Sequence, residues 1–135
     1  MCYQSRMRKL WLALAAFATV AGCSTKPEVE QPTTFDMNLV LDVAPQYVTR
    51  TAAGCDSDGI SKGTGVTVRD GDGTTVGAGA VEAGVYYPDS RSCRFPARIQ
   101  VQDGSAFYEI TVRDRASMTV DEARAKAGVQ LTFGY

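Results

Sequence analysis

The sequence predicts an all-β fold, a small antiparallel β-sandwich of six or seven strands with one short helix before the last strand. Three observations carry that expectation. Apolar residues recur at every second position in run after run, which is how a strand turns one face toward a core. Glycine, 13 of 135 residues, gathers with Asp between those runs, where turns demand it. A single stretch near the C-terminus combines capping residues with a helical period, so helices do not alternate with the strands.

The chain starts with a different kind of segment. Arg8-Lys9 precede the apolar run Leu10 to Val20, and Ala21-Gly22-Cys23-Ser24 follow. This is the layout of a bacterial lipoprotein signal: basic residues stay at the cytoplasmic face, the apolar run enters the bilayer, and small residues admit a peptidase. The Cys23 thiol then takes a diacylglycerol and becomes the new N-terminus, so residues 1–22 leave. Two readings compete with this one, plain secretion without lipid and an uncleaved anchor. A spanning helix needs about 20 apolar residues, and this run is closed by Arg8-Lys9 and by Ser24-Thr25-Lys26. Met7 is a second candidate start, directly before the basic pair. Residues 23–34 carry the lipidated cysteine and a tether with Pro27 and Pro32 and almost nothing apolar. The expected location is the extracytoplasmic face of a cell membrane, lipid-anchored.

The sandwich is expected over residues 35–135. Phe35, Met37, Leu39, Leu41 and Val43 face one way and Asp36, Asn38 and Asp42 the other, which makes a half-buried first strand ending at Ala44-Pro45. Tyr47 to Thr51 add a short extended piece, and Ala53 to Gly63 read as a loop. Gly65 to Asp70 and Thr74 to Val81 form a hairpin around Asp70-Gly71-Asp72-Gly73, with Val66, Val68, Val76, Ala78 and Ala80 inward. Gly77 and Gly79 leave one face bare, where another segment can pass close. Gly84 to Ser92 read as irregular. Phe95, Ala97, Ile99 and Val101 and then Tyr108, Ile110 and Val112 alternate on either side of Asp103-Gly104, a hairpin signal, and Pro96 puts its strand at an edge or an irregularity. Thr119 and Glu122 have capping-box spacing, Gly128 ends the helix, and Val129, Leu131, Phe133 and Tyr135 make the last strand.

Loss of Arg6, Arg8 and Lys9 with the signal leaves 11 basic against 15 acidic residues, a charge of −4 on about 110 residues, enough for one domain. No basic surface predicts nucleic-acid binding. Cys2 leaves and Cys23 is acylated, so Cys55 and Cys93 are expected to form a structural disulfide, the default for two thiols in a small exported domain.

The chain has no histidine, which removes every triad, dyad or metal site that requires one. No cofactor and no metal are expected. Asp56-x-Asp58-Gly59 and Asp70-x-Asp72-Gly73 invite a calcium reading. Thr75 and Val81 stand where the loop signature needs Gly and Glu, so turn chemistry is preferred. Ser61-Lys62 is read as a solvated loop rather than a dyad. Arg91, Arg94 and Arg98 form the one basic cluster, and with Tyr86 and Tyr87 they are the candidate binding surface, set against a plain solvated sheet face.

Val66-x-Val68-x-Asp70, Gly73 and Val76 resemble the hairpin of carboxypeptidase-regulatory-like and transthyretin-like sandwiches. Cys93-x-Phe95, Phe107-Tyr108-x-Ile110-x-Val112 and the lipobox are similar to small exported lipoproteins of actinobacteria, including mycobacteria and their phages. That resemblance implies a compartment and a fold and no catalytic residues. The expected function is a non-enzymatic, membrane-anchored binding or envelope module, held by its lipid, with an envelope or phage protein as partner. A superinfection-exclusion lipoprotein and a small carboxylate-based cell-wall hydrolase are the alternatives.

Overall fold

The computed structural model describes residues 31–135; the signal, Cys23 and the tether up to residue 30 lie outside the described residues. The element order is β1 (Thr34–Val43), a 3-10 turn (Pro45–Tyr47), β2 (Val48–Thr51), β3 (Gly54–Ser57), β4 (Gly65–Asp70), β5 (Thr75–Ala80), β6 (Val85–Tyr87), β7 (Ser92–Gln102), β8 (Phe107–Val112), β9 (Met118–Asp121), α1 (Glu122–Ala127) and β10 (Val129–Phe133). One four-stranded sheet runs β10-β1-β7-β6, a second runs β5-β4-β8-β9, and β2-β3 form a separate hairpin. The all-β sandwich with one short helix before the last strand is the architecture observed. Its strands number ten because β3, β6 and β9 carry too few alternations to be read individually, while the short extended piece expected at Tyr47 to Thr51 is β2. Among the described residues no helix is long and apolar enough to cross a membrane.

The core follows the period-two runs. Met37, Leu39, Leu41 and Val43 from β1 meet Phe95, Ala97, Ile99 and Val101 from β7, and Val66, Val68, Tyr108, Ile110 and Val112 come from the second sheet. Burying each such side chain contributes about 1.5–3 kcal/mol relative to leaving it in water.

Several local expectations are corrected. Asp103-Gly104 do not close a hairpin: β7 and β8 belong to different sheets, and the segment is the corner between them. The corner is held by Asp103 N–H donating to the Thr33 carbonyl at 2.8 Å and by the Tyr108 hydroxyl donating to the Gln102 carbonyl at 3.2 Å. The Asp-Gly signal marks a sharp turn, and both outcomes bury the same alternating residues, so periodicity cannot separate them. Residues 84–92 are not irregular, since β6 pairs with the start of β7.

The β4–β5 hairpin forms, but Ala78 and Ala80 point outward. A bulge between Val68 and Arg69 shifts the register so that Gly77 and Gly79 oppose Val68 and Val66 on the inner face. The reason is room: a Cβ on Gly77 would lie 2.9 Å from the Gln100 carbonyl oxygen, and one on Gly79 would lie 2.5 Å from Ile99 Cδ1. The close passage expected at these glycines is therefore real, and the passing segment is β7. Beyond Arg94, where β6 ends, the Pro96 carbonyl accepts from Glu82 N–H at 2.8 Å. In an antiparallel strand the nitrogen of Pro96 points the same way, where no ladder bond is required of it.

The helix cap also differs from expectation. Residues 118–121 extend as β9 against β8, which takes Thr119 away, and Asp121 caps instead, its Oδ1 accepting from Arg124 N–H at 2.7 Å. Gly128 ends the helix as expected. The chain then crosses through the helix from β9 in the second sheet to β10, which runs parallel to β1 in the first.

Lys126 binds three parts of the fold, reaching Asp103 at 2.9 Å and Glu122 at 2.6 Å and lying 5.5 Å from the centre of the Phe35 ring. Its hydrogen bond and that of Gly104 N–H hold the Asp103 carboxyl below its ordinary pKa, and the two carboxylates hold the ammonium above its own. A depressed carboxyl stabilises the fold above its unfolded pKa and loses that contribution as pH falls through the folded value. Acid titration of Lys126→Met should therefore show a shallower loss of stability below about pH 4. An acid limb identical to that of the wild type would show that the pair does nothing for folding.

Candidate ligand-binding groove and the outer sheet face

The five residues expected to form one surface divide between two. Tyr86 opposes Cys93 and Tyr87 opposes Ser92, so neighbouring side chains on β6 leave on opposite faces. Tyr87, Arg94 and Arg98 lie on the outer face of the first sheet, and Tyr86 and Arg91 line a groove at the end of the sandwich.

On the outer face Arg94 is already engaged. Its guanidinium carbon sits 4.3 Å from the centre of the Tyr87 ring, and its Nε donates to Asp42 Oδ2 at 3.2 Å. Asp42, only 6% exposed, also accepts from Gln130 Nε2 at 3.4 Å and from the Tyr135 hydroxyl at 3.2 Å. Period two places Asp42 outward, as expected, and the C-terminal Tyr135 covers it. Burial of the Tyr135 hydroxyl, then the charge and hydrogen bond of Asp42, push its pKa above the ordinary tyrosine range. Asp42→Ala should cost about 2 kcal/mol by removing the shared acceptor and leaving Arg94 unpaired, read from urea unfolding. In the same variant the Tyr135 pKa should drop toward its ordinary value, and an unchanged pKa would refute the network.

The groove is assembled by the hairpin outside the two sheets. Arg50 on β2 opposes Cys55 on β3, and Tyr86 on β6 opposes Cys93 on β7. Cys55 and Cys93 form the expected disulfide, so one covalent link fixes the strand pair bearing Arg50 against the pair bearing Tyr86. The Arg50 guanidinium carbon then lies 4.5 Å from the centre of the Tyr86 ring. Cys55 N–H donates to the Gly84 carbonyl at 3.4 Å alongside it. Pro45, Gln46, Val48 and Arg91 complete an open groove of about 470 Å³. Gln46 is tied by its Nε2 to the Gly134 carbonyl at 2.6 Å, which orders that wall. Arg91 adopts φ 54°, a left-handed conformation uncommon for a residue with a side chain.

Neither Arg50 nor Arg91 forms an ion pair among the described residues, whereas Arg69, Arg94 and Arg113 each have a carboxylate partner. Arg50 was not legible as a site residue. Nothing in Thr49-Arg50-Thr51 differs from a solvated strand until the disulfide brings it over Tyr86. Gln46 gave no signal either.

The Asp-Gly stretches serve as turns. Asp70 Oδ1 accepts from the N–H groups of Asp72 and Thr74, each at 2.9 Å. The loop at residues 58–59 is held through its carbonyls, by Arg115 on Asp58 at 2.6 Å and Arg113 on Gly59 at 3.3 Å. Ser61 takes part in a turn, its N–H donating to Thr64 Oγ1 at 3.0 Å. A more apolar groove lies between edge strands β9 and β10, lined by Met118, Leu131 and Phe133. No protein-family model, curated protein or solved structure matches the chain.

Proposed function

We propose that this chain is an exported lipoprotein of the actinobacterial kind, held by a lipid on Cys23 at the outer face of a cell membrane, whose sandwich is a non-enzymatic binding module. The observation that carries the reading is the order of Arg8-Lys9, the apolar run to Val20 and Ala21-Gly22-Cys23. The Cys55–Cys93 disulfide supports an oxidising compartment outside the cytosol. Two arginines without carboxylate partners beside an aromatic ring support binding, since Arg and Tyr are enriched where binding energy concentrates. β1 leaves the tether at Thr34 and delivers the chain, about 30 Å further on, to the wall of the groove at Pro45.

Mass spectrometry of the protein from its native host tests the reading. An N-terminal peptide beginning at diacylglycerol-modified Cys23 is expected. Unmodified Cys23 inside a longer chain would overturn it.

A further inference from the structure

We infer that the groove between Arg50 and Arg91, beside the Tyr86 ring, is a binding site for a phosphate ester carried by a soluble molecule or envelope polymer rather than by the anchoring bilayer. The site stands on its own geometry. Only the exclusion of the bilayer rests on the anchored reading above.

The argument begins with the two guanidiniums. Each presents a planar fork of donors, and neither has a carboxylate partner among the described residues. The Arg50 guanidinium carbon lies 4.5 Å from the centre of the Tyr86 ring, a cation–π contact that holds the charge at the groove without using a carboxylate. Arg91 lines the same groove from a turn whose backbone is left-handed at that residue.

Two forks lining one groove ask for more acceptors than one carboxylate offers. A carboxylate has two oxygens, which a single bidentate arginine saturates, whereas a phosphate ester presents further oxygens and up to two charges. The walls are largely fixed before any ligand arrives, by the Cys55–Cys93 bond, by Pro45 and by the Gln46 bond to Gly134. The mature domain is net acidic, so the attraction is local to this groove and falls with added salt.

The experiment uses the full chain in neutral detergent micelles, disulfide intact, with ¹⁵N-labelled arginine followed by NMR. Glycerol 3-phosphate and inorganic phosphate are the probes, acetate is the carboxylate comparison, and Arg69→Ala is the control variant. Saturable shifts are expected at the Nε–H groups of Arg50 and Arg91. Arg50→Ala and Arg91→Ala should each weaken binding roughly tenfold or more, the loss of a charge-assisted hydrogen-bonded contact, while Arg69→Ala binds as the wild type does. Intact disulfide and an unchanged melting temperature in both variants would assign the loss to the site. A melting temperature lowered in step with affinity would overturn the assignment, and so would equal loss in Arg69→Ala or no saturable shift in the wild type. Acetate binding as tightly as phosphate would overturn the phosphate class. Phosphatidylglycerol vesicles displacing glycerol 3-phosphate from these two arginines would overturn the exclusion of lipid. Unmodified Cys23 in the protein from its native host would refute the anchored reading, and saturable phosphate binding by that same protein would leave the site in place.

Discussion

Replacing Cys55 and Cys93 together by alanine should lower the unfolding free energy by about 4 kcal/mol, the chain-entropy value for a loop closed over this separation. The two residues are 38 apart in sequence, and both are buried. Alanine is the informative replacement, because serine would add a buried hydroxyl to the count. A loss of this size is a large share of the stability of a small domain. It should also have a local signature. The β2–β3 hairpin belongs to neither main sheet, so without the bridge its attachment rests on contacts such as Cys55 N–H to the Gly84 carbonyl. Hydrogen exchange in the variant should therefore accelerate at residues 48–57 well beyond the change at β1 and β7. Uniform acceleration across the domain would show that the bridge only restrains the unfolded chain. Denaturant unfolding with a loss under about 1 kcal/mol would refute the larger claim.

Gly84→Ala should cost about 3 kcal/mol, the upper part of the range for forcing atoms into a packed interior. A Cβ there would meet the Cys55 carbonyl oxygen, lie 2.7 Å from Cys93 Sγ and lie 2.8 Å from Phe95 Cε1. Two of these neighbours cannot yield cheaply, since one is backbone and one is in the disulfide. The variant should fold with a lowered melting temperature, and a wild-type melting curve would show that the segment moves aside freely. The contrast with Gly63→Ala isolates the cause. Gly63 has open space around it, so its cost arises from its φ of +92° alone.

Much of the fold could be read from residue order because burial is written into the chain at period two. Leu39, Phe95, Ile99 and Ile110 sit where alternation places them, and the hairpin at Asp70 forms where its turn residues predict. What could not be read is which strands become neighbours. Asp103-Gly104 turns the chain as expected, yet the partner of β8 is β4, which lies more than 35 residues back. The direction of Gly77 and Gly79 depends on a one-residue bulge, and a one-residue slip reverses every side chain after it.

The site was legible to a similar extent. Tyr86, Tyr87, Arg91, Arg94 and Arg98 are close in sequence, and period two puts Arg94 and Arg98 on one face, so residue order groups all five. Alternation along β6 and the position of Arg91 in a turn divide them, and Arg94 is claimed by Asp42 from a strand that precedes it by 52 residues. Arg50 reaches Tyr86 only through a covalent bond between other residues. Sequence proximity thus located the groove, and pairing across the sheets decided which side chains enter it.

The glycine row of β5 also decides whether β7 can pair with a strand from another molecule. A strand edge without a ladder partner, such as β7 has beyond Arg94, is a template on which a second molecule can add its own strand and begin a fibril. Here Glu82 N–H takes the Pro96 carbonyl, and β5 passes so close that a Cβ on Gly77 would lie 2.9 Å from the Gln100 carbonyl oxygen and one on Gly79 2.5 Å from Ile99 Cδ1, so an intruding strand has no room. Two residues without side chains thereby close this one edge of β7 to a second chain.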